Sequence, residues 1–201
     1  MRRNIILFVG SLVVLSAGCQ KGSVTEPPQV ASSLPIHTIR DVPADTGSTG
    51  RYTYFSFKDS TAVTGVDTAT TKWDVAFSRT TIRTNSGSSG VGQGGAIVLS
   101  NTDFNTLSQA PSSGYATDTS ATQLAITTGS DRGWYHYDFA TNIVTPIAGR
   151  VLVIRTGDGK YAKVQIVSYY KGSPSNPAPT DQPRYYTFKY VYQPDGSQTL
   201  K

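Results

Sequence analysis

Residues 184–192 read Arg-Tyr-Tyr-Thr-Phe-Lys-Tyr-Val-Tyr, which puts Tyr186, Phe188, Tyr190 and Tyr192 at every second position, with Lys189 on the other parity. Successive side chains of a strand point to opposite faces, so this run reads as a strand with one aromatic face, not as a helix. Period two recurs upstream. Thr53, Phe55 and Phe57 alternate with Tyr52, Tyr54 and Ser56, and Trp73, Val75 and Phe77 share one side of a stretch reaching Arg83. Residues 96–99 are a short apolar run. Residues 151–155 are continuously apolar and then charged, as in a central strand. Asp158-Gly159 sits where a hairpin turn belongs, between that strand and residues 161–170. Residues 172–183 form a loop rich in Pro, Ser and Asn. No stretch holds a helical apolar period for three turns, and a short helix is expected only near residues 101–110. Charged residues make up 15% of the chain. That scarcity, with abundant Gly, Thr, Ser and Tyr, favours strands and turns. The expected fold class is all-β: a single antiparallel domain with at most short helices.

The N-terminus has its own grammar. Arg2 and Arg3 precede an apolar run over residues 5–15, which is too short to span a bilayer and suits the apolar region of a signal peptide. Leu15-Ser16-Ala17-Gly18-Cys19 then resembles a bacterial lipobox, in which Cys19 is lipidated after cleavage. Residues 1–18 are therefore expected to be a lipoprotein signal peptide. Residues 19–35, polar and proline-bearing, are expected to be a flexible tether. Residues 36–201 are the β domain. The expected location is the outer membrane, lipid-anchored on its periplasmic or cell-surface face. A single cysteine excludes an internal disulfide and a cysteine-based zinc site. Loss of Arg2 and Arg3 lowers the formal net charge from +5 to +3. With no Lys/Arg cluster, nothing argues for nucleic acid. An exported chain also meets no nucleotide pool. Gly90-Val91-Gly92-Gln93-Gly94-Gly95 satisfies G-x-G-x-x-G, but a β-like run follows where a dinucleotide site needs a helix. It is read as a tight loop whose glycines supply positive φ.

Chemistry concentrates in residues 133–142, Gly-Trp-Tyr-His-Tyr-Asp-Phe-Ala-Thr-Asn. His136 and Asp138 lie two apart, on one strand face shared with Trp134. No G-x-S-x-G supplies a nucleophile, and the acidic residues, mostly beside Gly, Thr or Pro, read as turn residues. Two histidines about a hundred residues apart make a poor zinc set, and no EF-hand pattern occurs. The chain is expected to be non-catalytic. Its aromatic density suits either a β core or a clamp for a flat ligand, such as a porphyrin or a sugar ring.

Several stretches together resemble the HmuY family of Bacteroidetes haem-binding lipoproteins. They are YTYFSFKDS (52–60), TKWDVAFSRTTIRTNSGSSGVGQGGAIVL (71–99), GWYHYD (133–138), GRVLVIRTGDGKYAKVQIVSYYKG (149–172) and RYYTFKYVYQPDGS (184–197). The order W-D-x-A-F-S-R, T-N-S-G, G-x-G-G and R-T-x-D-G-K-Y-A-K is the specific part. The resemblance implies an all-β domain that holds haem between strand-borne loops and passes it to a TonB-dependent outer-membrane receptor. It also implies two His or Met side chains on the iron. Here the pattern departs. The sole methionine is Met1, and residues 121–132, where relatives carry one ligand-bearing loop, hold neither His nor Met. Where relatives carry the second ligand, this chain offers Phe139 and Asn142. His136 is the substitute donor that the stretch provides, with Tyr135 or Tyr137 as phenolate alternatives and Asn142 as a further contact. His37, near the tether, is read as a strand residue. The alternative is a family member that has lost haem ligation and binds another ligand or a glycan.

Overall fold

The computed structural model describes residues 33–201. The expected signal peptide, Cys19 and most of the expected tether lie outside the described residues. Eleven strands follow in chain order: β1 (His37–Pro43), β2 (Thr53–Ser56), β3 (Thr61–Val63), β4 (Val75–Ser78), β5 (Thr81–Thr84), β6 (Gly95–Leu99), β7 (Tyr135–Asp138), β8 (Ile143–Pro146), β9 (Val151–Arg155), β10 (Tyr161–Tyr170) and β11 (Pro183–Gln193). All paired strands are antiparallel. They make a five-stranded sheet in the order β1-β11-β10-β9-β6, a four-stranded sheet in the order β3-β2-β4-β5, and the separate β7-β8 hairpin. The expected all-β antiparallel class is what the structure has.

The aromatic face of β11 is the centre of the molecule. Tyr186, Phe188 and Tyr190 are fully buried. The four-stranded sheet lays its own aromatics on them: Phe77 stands 4.7 Å from Tyr186, Phe55 5.3 Å from Phe188, and Phe57 4.9 Å from Tyr190, between ring centroids. This is sheet-on-sheet packing, in which alternate residues of each strand interdigitate. The buried phenols also need partners. Tyr186 donates to the Arg79 carbonyl at 2.8 Å and Tyr190 to the Phe57 carbonyl at 2.9 Å, so each ties β11 to the opposite sheet. His37 is a strand residue as expected, with its ring stacked on Tyr190 at 5.0 Å.

The continuous apolar run of β9 has a different cause. Leu152 and Ile154 face the aromatic core, whereas Val151 packs with Phe104 and Val191, and Val153 with Ala110 and Leu200. Both faces of the large sheet are therefore covered, and a strand buried on both faces loses its alternation. The second cover is the segment expected to carry a short helix. Residues 101–110 instead form turns, and the only helix among the described residues is a 3-10 turn at Gly65–Ala69. Lys163 explains the difference. Its buried ammonium donates to the carbonyls of Phe104 and Leu107 at 2.8 and 2.7 Å, taking acceptors that helical bonding would use. The stretch expected as one strand through Arg83 is two, β4 and β5, joined at Arg79 and Thr80. Arg79 has φ of 50°.

Candidate functional site

The β7-β8 hairpin pairs Tyr135 with Pro146, His136 with Thr145, Tyr137 with Val144 and Asp138 with Ile143. Its turn is closed by Asp138, whose carboxylate accepts from the Ala140 amide at 2.9 Å and the Thr141 hydroxyl at 2.6 Å. Those bonds, the Thr141 hydroxyl first, hold the Asp138 carboxyl below its usual range. Asn142 completes the turn at φ 58°, a conformation that Asn tolerates better than most residues. Asp138 is thus engaged with the turn and does not orient His136.

The hairpin separates the four sequence-predicted residues. Tyr135 is buried in the aromatic core, 5.0 Å from Trp134. Trp134 precedes the strand and is itself buried, so it does not share an exposed face with His136 as alternation had suggested. Tyr137 and Asn142 are brought together: the phenol donates to Asn142 Oδ1 at 2.6 Å. Phe139 stands edge-on to Tyr137 at 4.8 Å and is 82% exposed. His136 points to the opposite face from its neighbours Tyr135 and Tyr137, with about half of its side chain exposed.

The partner of His136 is Asp131, with Nδ1 lying 2.8 Å from Asp131 Oδ1. Asp131 is itself placed by the turn before the hairpin. Ser130 donates its hydroxyl to Asp131 Oδ2 and accepts from the Tyr137 amide, both at 2.8 Å, and Arg150 donates to the Asp131 carbonyl at 3.2 Å. The Ser130 bond and then the His136 bond hold the Asp131 carboxyl below its usual range. An ionised carboxylate only accepts, so the proton of a neutral His136 sits on Nδ1 and the lone pair on Nε2. A carboxylate behind Nδ1 is the arrangement that orients an imidazole and raises its basicity toward a metal. Across the hairpin, Thr145 lines a groove of about 190 Å³ with Val167, Tyr169, Pro174 and Pro177. Val167 is half exposed there. Asp131 was not foreseen from the sequence, because nothing in the spacing of a turn residue announces a contact five positions on.

The motif words that carried the family resemblance lie elsewhere and have a different purpose. Asn85 is fully buried. Its amide donates to the carbonyls of Thr70 and Trp73 at 2.9 and 2.8 Å, and its Oδ1 accepts from the Gly92 amide at 2.9 Å. The glycine loop closes around it. A Cβ on Gly92 would lie 2.7 Å from the Asn85 carbonyl oxygen and 2.8 Å from Gly157 Cα, and one on Gly94 would lie 2.6 Å from the Asn85 carbonyl oxygen. Gly90, Gly92, Gly94 and Gly95 are not among the positive-φ glycines, so close approach replaces the expected positive φ as their reason. Asp74 joins the same knot, accepting from the amides of Phe57 at 2.7 Å and Gly157 at 3.2 Å. Burial, opposed by those two bonds, pushes its carboxyl up to about 7. Asp118 similarly receives the amides of Thr84 and Ala125 at 3.0 and 2.8 Å. Asp74, Asp118 and Asp45 are buried scaffold groups: Asp45 caps a turn as expected of an acid beside Thr46, but from a buried position, and Asp118, also beside threonines, is not a surface turn residue.

The domain is two face-packed antiparallel sheets with a separate hairpin that exposes an oriented histidine. The HmuY protein family profile matches residues 48–190, and the chain belongs to that family. No curated protein matches it in sequence. Among solved structures it is similar to a Bacteroides vulgatus protein described as HmuY-like and heme binding (18% identity, TM-score 0.52, 78% of this chain and 91% of that one). It is also similar to the apo HmuY analog of Tannerella forsythia (18%, 0.52, 81% and 100%) and to apo PinO of Porphyromonas gingivitis (15%, 0.53, 80% and 98%). At these identities the likeness is one of fold.

Proposed function

We propose that the protein is a non-catalytic, lipid-anchored haem-binding protein that captures haem on the β7-β8 hairpin and hands it to a TonB-dependent receptor. Family membership supports the haem class. The observation that carries the site is the His136–Asp131 pair, a half-exposed imidazole whose Nε2 is left free by a carboxylate on Nδ1. His136 would hold the iron through Nε2. Beside Thr145, the pairing partner of His136, the Val167 groove offers a mixed edge of Val, Tyr, Pro and Ser side chains against which part of the macrocycle would rest. A groove of about 190 Å³ is below the roughly 300–1,000 Å³ of enclosing ligand pockets, so it would cover only part of a haem and leave the rest open. That openness suits a protein that gives its ligand away. Tyr137 and Asn142 would support the hairpin and not the iron, because their side chains satisfy one another. Cys19 would carry the lipid and place the domain at the outer membrane. Among the described residues, no helix is long and apolar enough to cross a membrane.

Haemin titration tests the reading. The wild-type chain from Cys19 onward is expected to give a saturable, shifted Soret band, and His136→Ala to lose it. A wild-type titration indistinguishable from free haemin would remove the proposal. An unchanged spectrum in His136→Ala would remove His136 from it. The second reading, a relative that binds a different ligand, is favoured by one observation: apart from His136, the only described histidine is His37, which is committed to Tyr190.

A further inference from the structure

Asp131 is held more firmly than an exposed carboxylate needs to be. Its amide donates to the Tyr135 carbonyl at 2.8 Å, so its own backbone is bonded to β7. Its carbonyl accepts from Arg150 at 3.2 Å. Its φ is 65°, in the left-handed region that Asp and Asn enter more readily than other side chains. Ser130 fixes the side chain: its hydroxyl donates to Oδ2 while accepting from the Tyr137 amide, both at 2.8 Å. The remaining oxygen, Oδ1, meets His136 Nδ1 at 2.8 Å. Main chain, side chain and neighbour thus converge on one placement, a carboxylate locked behind the imidazole.

The charge of that carboxylate is not used elsewhere. Among the described residues, His136 is the only Lys, Arg or His side chain within ion-pair distance of Asp131. Arg150 reaches the carbonyl of Asp131 and not its carboxylate. Asp138, by contrast, gives both of its oxygens to the Ala140 amide and the Thr141 hydroxyl.

A hydrogen bond from Nδ1–H to a carboxylate moves electron density through the ring and makes Nε2 a stronger donor. A stronger donor favours the higher charge on the metal it binds. Ferric and ferrous haem differ by one charge on iron, and bonding behind the axial ligand is one of the levers a protein has on that difference. Exposure sets the size. The His136 and Asp131 side chains are 52% and 62% exposed, so water screens the carboxylate and the effect is smaller than for a buried pair.

We propose, resting on the haem reading of this site, that Asp131 makes it selective for oxidation state, so that ferric haem binds in preference to ferrous haem. Asp131 touches His136 and not the ligand, which makes it a positioning residue. Ser130 supports it by tying the carboxylate to the Tyr137 amide of β7. The expected preference is about tenfold, which by linkage lowers the midpoint potential of the bound haem by about 59 mV relative to the free haem.

The test compares anaerobic titrations of the chain from Cys19 onward with haemin and with dithionite-reduced haem, in wild type and Asp131→Asn. Asn keeps the tolerance for positive φ and an oxygen that can accept at Oδ1, so the substitution isolates the charge. Wild type is expected to bind the ferric form about tenfold tighter, and Asp131→Asn to narrow the ratio to about twofold, with the loss on the ferric side. Gallium(III) and zinc(II) protoporphyrin, which dithionite does not reduce, repeat the comparison at fixed charge: Asp131→Asn should weaken the gallium form severalfold and the zinc form less than twofold. The iron–Nε2 stretching frequency of the ferrous complex should fall in the same variant, a signature that a merely structural role would not move. Ser130→Ala, which keeps the charge but frees the carboxylate, should give an intermediate ratio, and it serves alone if Asp131→Asn does not fold. Haemin that gives no saturable change would remove the haem reading and this preference with it. Saturable haemin with the two oxidation states within twofold in wild type would overturn the preference alone. A ratio unchanged in Asp131→Asn, or in Ser130→Ala where that variant stands alone, would take the role away from Asp131.

Discussion

Asn85 directs every polar atom of its side chain into the protein, while His136 pairs one ring nitrogen and keeps the other for solvent. The two residues represent two regions built to opposite rules. Around Asn85 and Asp74, backbone from residues 57, 70–73, 92–94 and 157 converges on buried side chains, and glycines are present because nothing larger fits. Around His136, a four-residue turn is held by its own short side chains, and the aromatic at its tip is open to water. A buried polar network is intolerant, since removing one partner strands the others. An exposed hairpin residue can be exchanged without cost to the fold. The knot therefore holds the residues of the recognisable sequence motifs, and the proposed ligand site on the hairpin lies apart from them.

This comparison breaks first at the knot, if it is wrong. Asn85→Ala leaves two carbonyls and the Gly92 amide without partners, and is expected to cost about 3–6 kcal/mol in urea denaturation. Gly92→Ala should fall in the same range, because its new methyl group meets backbone on both sides. Either variant within 1 kcal/mol of wild type would mean that the glycine loop can open away from Asn85.

Next in size is the pH dependence of Asp74. Between about 4 and about 7 its folded carboxyl keeps a proton that the unfolded chain has released. The folded state then binds more protons, so this group's stabilising share is whole below about 4 and is lost as pH rises through about 7. At 1.36 kcal/mol per pKa unit the loss is on the order of 4 kcal/mol. It is read as the difference between wild type and Asp74→Asn, which cancels the opposite trend of Asp45, Asp131, Asp138 and Asp195, whose carboxyls are all lowered. A difference that stays flat from pH 4 to pH 7 would remove the claim.

A smaller effect, about 2 kcal/mol, is expected for Lys163→Met, which strands the Phe104 and Leu107 carbonyls and loosens residues 101–110. Hydrogen exchange should show that loosening in this segment alone. His136→Ala sits at the end of the series, with an unchanged denaturation midpoint. A lowered midpoint would make His136 part of the frame and erase the contrast.

The frame was largely legible in the sequence because it rests on period two. Tyr186, Phe188 and Tyr190 announce their face, and Asp158-Gly159 announces its turn. What escaped depends on contacts distant in the chain. The break at Arg79 is fixed by its amide donating to the Ala44 carbonyl and its guanidinium reaching Asp45, 34 positions away. The loss of helix at 101–110 follows from Lys163, more than fifty residues on. His136 could be picked out because the chain has only two histidines. Its setting could not, since Asp138 lies two positions away and Asp131 five, and only the fold assigns the more distant one to the imidazole and the nearer one to the turn. Tyr135 and Tyr137, the phenolate alternatives, lie on the other face of the hairpin, Tyr135 in the core and Tyr137 on Asn142.

The sharpest test of the account concerns the number of protein donors on the iron. Resonance Raman spectra of the haemin complex should show a high-spin ferric centre with one imidazole from His136, and that signature should disappear in His136→Ala. A low-spin, six-coordinate centre with two protein donors in the wild type, or a spectrum indifferent to His136→Ala, would contradict the account.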